Sequence, residues 1–140
     1  PQYSGLVDKV ESVQRRFTKK LRGFYHLDYS ARLSALGLRS LEQRRLVQDL
    51  ILVYKILFGL LDVQSEQFFT LRCTDNSSST RGNLYKIIAN NCRVNVRLHY
   101  FSERIVSVWN SLPPSIVDFT SLSSFKRTLF NVNLKLYTKF

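Results

Sequence analysis

From Leu46 to Leu61 the chain is apolar on nearly every side of a helix, broken only by Gln48, Asp49 and Lys55. A helix of that character is stable only when neighbours cover it all round, so it belongs at the centre of a bundle. Ser40, with Gln43 three residues on, has the spacing of a capping box and opens this helix, expected over about 41–61. The run is too short and too often interrupted by charge to span a membrane. Whatever else the chain does, it must supply further helices to cover this one.

The remaining sequence offers them. Leu6, Val10, Val13, Phe17 and Leu21 recur at steps of three and four, predicting an amphipathic helix over 6–22 whose apolar stripe faces the core. Arg15, Lys19 and Arg22 fall opposite that stripe, with Lys9, Arg16 and Lys20 along its flank, and Gly23 stands where the helix stops. Asp28 is placed to cap a short helix, 29–36, with Tyr29, Leu33 and Leu36 inward and Gly37 at its end. Residues 73–83 are loop-forming by composition. Two β-leaning runs follow, Leu84 to Ala89 and Arg93 to Leu98, with Asn90 and Asn91 suited to the turn of a small hairpin. Ser102 is expected to cap a helix over 103–111 that presents Ile105, Val106 and Trp109 and is stopped by Pro113 and Pro114. A last helix starts at Ser121, with Leu122, Phe125, Leu129 and Val132 in register. The expected fold is mainly α: a bundle of about five helices with one small β-hairpin.

Charge is the second constraint. The chain carries 21 Lys and Arg against 10 Asp and Glu, a formal +11. The excess is shared between the halves, since residues 1–60 hold 11 basic and 5 acidic side chains and residues 61–140 hold 10 and 5. This is a basic domain and not a neutral one with a tail. Such a field attracts polyanions, nucleic acid above all, although a ribosome-like structural role, an anionic membrane surface or solubilisation also use it. At 44% hydrophobic the chain is expected to fold rather than remain disordered. Methionine is absent and residue 1 is proline, so a segment of a longer protein is expected.

Chemistry-bearing constellations are sparse. Carboxylates are scattered singly, without the converging pair that two-metal catalysis needs. Cys73, Cys92, His26 and His99 are the possible soft ligands, but no Cys-x-x-Cys or finger-like spacing joins them, so no metal or cofactor is expected. Neither histidine has an evident Ser or Cys partner for triad chemistry. Tyr3, Tyr25, Tyr85 and Tyr100 have the faces to stack on bases, against which stands the commoner use of tyrosine as core filler. The nucleic-acid-binding candidates are Arg15, Arg16, Lys19, Lys20 and Arg22 of the first helix, then Arg44 and Arg45, then Arg93 and Arg97 of the hairpin. Their repeat suits phosphate contact without base reading. The competing reading is an ordinary solvated face.

Several blocks together resemble one family. They are Val10 to Lys19 (VESVQRRFTK), Tyr29 to Leu38 (YSARLSALGL), Leu41 to Leu46 (LEQRRL) running on to Asp49 to Leu57 (DLILVYKIL), then Thr80-Arg81-Gly82, Phe101 to Arg104 (FSER) and Trp109 to Pro113 (WNSLP). In this order, over roughly residues 6–130, they resemble the reverse transcriptases of jockey-like non-LTR retrotransposons, in the thumb and the region beyond it. The family's aromatic-Ala-Asp-Asp metal turn and its endonuclease residues are absent from this sequence. The resemblance therefore implies a non-catalytic C-terminal segment of an RNA-directed DNA polymerase. It further implies one basic helical domain over 1–140: thumb-like helices at 6–62, a loop at 63–83, and the hairpin with C-terminal helices at 84–140. The implied partners are RNA and DNA without sequence preference and the remainder of the parent polymerase, with no membrane. The implied setting is intracellular, in a ribonucleoprotein of nucleus and cytoplasm. An architectural or protein-interaction module with incidental charge is the alternative.

Overall fold

A computed structural model describes residues 4–72, 84–90, 93 and 100–139. The fold is mainly helical. Its α-helices are Ser4–Lys20 (α1), Tyr29–Ala35 (α2), Leu41–Leu57 (α3), Phe101–Arg104 (α4), Val106–Asn110 (α5) and Leu122–Leu129 (α6), with 3-10 turns at Ser65–Gln67 and Leu134–Tyr137. A single residue, Ile105, separates α4 from α5. The chain divides into two compact units, one of Pro1–Leu46 with Leu134–Phe140 and the other of Val47–Asn133, the boundary falling inside α3.

Local signals start and stop the helices. In the first unit the Asp28 carboxylate accepts the Ala31 N–H at 2.7 Å, and Gly37 (φ 62°) closes α2. There Gly37 N–H reaches the Ser34 carbonyl and Leu38 N–H the Leu33 carbonyl, the paired bonds of a left-handed C-terminal cap. Ser40 caps α3 by accepting Gln43 N–H at 3.2 Å. The Gln43 amide donates to Thr138 Oγ1 at 3.5 Å. In the second unit α3 stops at Leu57, four residues before its expected end, because Gly59 (φ 65°) makes the same cap. Gly59 N–H donates to the Ile56 carbonyl and Leu60 N–H to that of Lys55. Ser121 caps α6 through the Ser124 N–H, while Ser102 lies inside α4, whose N-terminal flank is Tyr100.

The core of the second unit is built on the apolar helix. Leu50, Val53, Tyr54 and Ile56 of α3 are buried, as are Ile105, Val106, Val108, Trp109, Leu112, Phe125 and Leu129. Tyr54 stacks on Phe58 (ring centroids 4.2 Å apart) and on Phe125 (4.6 Å). Trp109 is enclosed between Phe119 (5.6 Å) and Phe125 (5.8 Å), and its indole N–H donates to the Tyr85 carbonyl at 2.7 Å. The Tyr54 hydroxyl donates to the Phe119 carbonyl at 2.9 Å, so the polar tips of Tyr54 and Trp109 are bonded while their rings fill the interior. Asp49 of α3 pairs with Arg104 of α4 at 2.6 Å.

The expected hairpin is not what the first β-leaning run forms. Among the described residues there is no strand, only one antiparallel bridge, Leu71 to Ile87. Arg72 N–H donates to the Lys86 carbonyl and Ile88 N–H to that of Thr70, both at 2.8 Å. On the other edge the Asn110 side chain takes both backbone groups of Ile87, accepting its N–H at 2.9 Å and donating to its carbonyl at 2.8 Å. With both edges bonded at this point, no ladder position is left there for a second strand. Residues 94–98, the expected partner, lie outside the described residues.

Candidate nucleic-acid interface

Helix α1 carries four of the nine expected contact residues, and its two faces are arranged against the usual pattern. The apolar stripe faces outward: Leu6, Val10, Val13 and Phe17 are 45, 50, 67 and 64% exposed. Inward lies a polar row with the same three-and-four spacing, Glu11, Gln14 and Thr18, all buried. The expectation that the apolar stripe packs on the core is thereby corrected.

The reversal holds because the polar row is matched group for group within the first unit. The Glu11 carboxylate accepts the Leu41 N–H through both oxygens (3.0 and 3.2 Å) and the Tyr29 hydroxyl as well. It thus satisfies an otherwise orphaned N–H of α3 and puts negative charge at that helix's positive end. Gln14 donates to the Arg39 carbonyl at 3.0 Å and to the Tyr29 oxygen at 3.1 Å, and accepts from Arg44. Thr18 bonds back to the Gln14 carbonyl at 2.9 Å and accepts Arg32 Nε at 3.2 Å. Arg32 is buried, where the short helix was expected to turn Tyr29, Leu33 and Leu36 inward; those three are half-buried. Its remaining donors go to the Leu27 and Arg15 carbonyls. Buried polar groups bonded this completely cost little, while any one partner removed leaves a buried group unpaired.

Burial, with Glu11 alongside, pushes the Tyr29 hydroxyl up from 10.0 to about 12. A raised acid keeps its proton in the folded chain after the unfolded chain has lost it. The Tyr29 contribution is therefore complete below pH 10 and is lost as pH rises from 10 towards 12. Stability measured across that window should fall more steeply in the native sequence than in Tyr29→Phe. Parallel pH curves for the two would contradict the assignment.

The expected contact residues separate into groups. Arg16, Lys19, Lys20 and Arg22 are exposed. Lys9, Arg16 and Lys20 fall within about 40° of arc on α1 and span roughly 16 Å of its axis, while Lys19 stands further round and Arg22 lies past the helix end. Arg15 is different: it is half-buried, with its guanidinium 5.1 Å from the centroid of the Tyr29 ring. Arg44 and Arg45 are exposed on the first turns of α3, Arg44 holding Gln14. Arg93 is exposed and belongs to the second unit, and Arg97 lies outside the described residues. Of the tyrosines, Tyr85 packs against Phe58 and Phe119, but Tyr25 and Tyr100 are exposed, contrary to the core role expected of them. Tyr3, Cys73, Cys92 and His99 lie outside the described residues.

Lys9 joins the contact candidates only once the helix is seen in place, although its seven-residue spacing to Arg16 is plain in the sequence. Among the described residues no three of His, Cys, Asp and Glu gather in a metal-holding group, and no helix is long and apolar enough to cross a membrane. In comparisons with family models, curated proteins and solved structures, none matches this chain.

Proposed function

We propose that this chain is a nucleic-acid-gripping, non-catalytic module, and that its parent is a non-LTR retrotransposon reverse transcriptase whose catalytic palm lies elsewhere. The observation that carries the reading is the exposed cation row of α1, Lys9, Arg16 and Lys20, with exposed Lys19 further round the helix, on a chain of net charge +11. Each ammonium or guanidinium there can neutralise a phosphate and release its condensed counterion, which raises affinity without reading a base. Holding template, primer or element RNA beside a polymerase slows dissociation and so lengthens each synthesis run. The parentage rests on the ordered sequence blocks, from VESVQRRFTK through WNSLP.

The test is equilibrium binding of labelled single-stranded RNA and DNA of several sequences. Affinities should be similar across sequences. Changing Arg16, Lys19 and Lys20 together to Gln should leave the melting temperature nearly unchanged, because exposed charges contribute little to folding. The same change should weaken binding and flatten the salt slope by roughly one unit for each phosphate that is no longer neutralised. Unchanged binding by the folded triple variant would sink the grip assignment.

A further inference from the structure

The outward apolar stripe of α1 has the register of a coiled-coil seam. Leu6, Val10, Val13 and Phe17 are separated by four, three and four residues, which places Leu6 and Val13 at d and Val10 and Phe17 at a. All four are exposed, and the seam ends at Lys20, which holds the next d position. The two flanks differ. The e side, Val7 and Gln14, turns towards the first unit, where Gln14 is buried in the polar network. The g side is open and wholly basic, with Lys9 and Arg16 both exposed.

We propose that this face docks an amphipathic helix of another protein segment, with an apolar seam of its own and Glu or Asp opposite Lys9 and Arg16. In such pairs the a and d side chains supply the burial and the flanking charges choose the partner and its direction. Charge decides the occupant here. A second copy laid antiparallel sets Lys9 and Arg16 against their own equivalents, a repulsive pairing. A second copy laid parallel sets them against the Val7 and Gln14 side, which the first unit already occupies. A helix lying in an anionic bilayer turns a polar face rich in Lys and Arg away from its apolar one, whereas here Glu11, Gln14 and Thr18 beyond the stripe are uncharged or acidic and buried in the first unit. The inference stands whether or not the chain grips nucleic acid, since it rests on the apolar stripe and one basic flank.

The experiment uses the full chain and two labelled helical peptides, identical in their Leu seam, one flanked by Glu and the other by Lys. Binding is read by anisotropy at physiological salt. The Glu peptide is expected to bind at least about tenfold more tightly than the Lys peptide. Val13→Asp and Phe17→Asp, both on the exposed face, should abolish that binding while circular dichroism stays native. The pair Lys9→Glu with Arg16→Glu should invert the preference between the peptides. Equal binding of both peptides, or none of either by the native chain, overturns the proposal, and this comparison needs no variant to fold. Dimerisation that disappears in Val13→Asp, or capture by anionic phospholipid vesicles without preference for the Glu peptide, also overturns it, in favour of a second copy or a membrane.

Discussion

Replacing Trp109 by alanine is expected to destabilise the second unit by about 3–5 kcal/mol, the cost of removing a large aromatic from a filled interior. The ring is fully buried, between Phe119 and Phe125, and its N–H is bonded to the Tyr85 carbonyl. Truncation removes that burial and that donor and opens a space among aromatics that Tyr54 and Phe125 already stack to fill. A domain's whole stability is commonly about 5–15 kcal/mol, so the variant should be close to unfolding. Trp109→Phe keeps most of the volume and loses mainly the hydrogen bond, so it should be milder by a wide margin. Urea denaturation checks both, as a fall in midpoint with little change in slope. A Trp109→Ala variant as stable as the native chain would mean that this cluster is not the core.

Much of this interior was legible in the residues themselves. The all-round apolar stretch of α3 required cover and has it at Leu50, Val53 and Tyr54. The two helix starts at Asp28 and Ser40 and the stop at Gly37 act within a few residues of themselves, so sequence spacing was enough to place them. Gly59 is a stop of the same kind, obscured by the apolar residues that continue past it. What could not be read locally was which side of α1 faces in. Its apolar and polar rows repeat at the same spacing, so periodicity cannot rank them. The choice is made by groups distant in sequence: the Leu41 N–H, the Tyr29 hydroxyl and the Arg32 guanidinium together match Glu11, Gln14 and Thr18. The β-leaning run at Leu84 to Ala89 met a comparable surprise, since its edge at Ile87 is taken by the amide of Asn110, 23 residues on.

The candidate interface was legible in part for the same reason. Arg16 and Lys20 flank the apolar stripe as their spacing places them, but that stripe faces outward, and Lys19, also exposed, stands further round the helix. Arg15, one residue away from Arg16, is drawn towards the Tyr29 ring. A cation's role in this helix is therefore set by one step of about 100° around its axis.

The grip is tested most directly by affinity for single-stranded RNA at two salt concentrations. If about six phosphates are neutralised, binding should weaken by around a thousandfold between about 50 and 200 mM salt, because each neutralised phosphate releases a counterion. Apolar docking has no such dependence. A steep linear fall of log affinity with log salt, shallower in the Arg16, Lys19 and Lys20 triple variant, is the expected result. An affinity indifferent to salt, or no binding at the lower concentration, would contradict it.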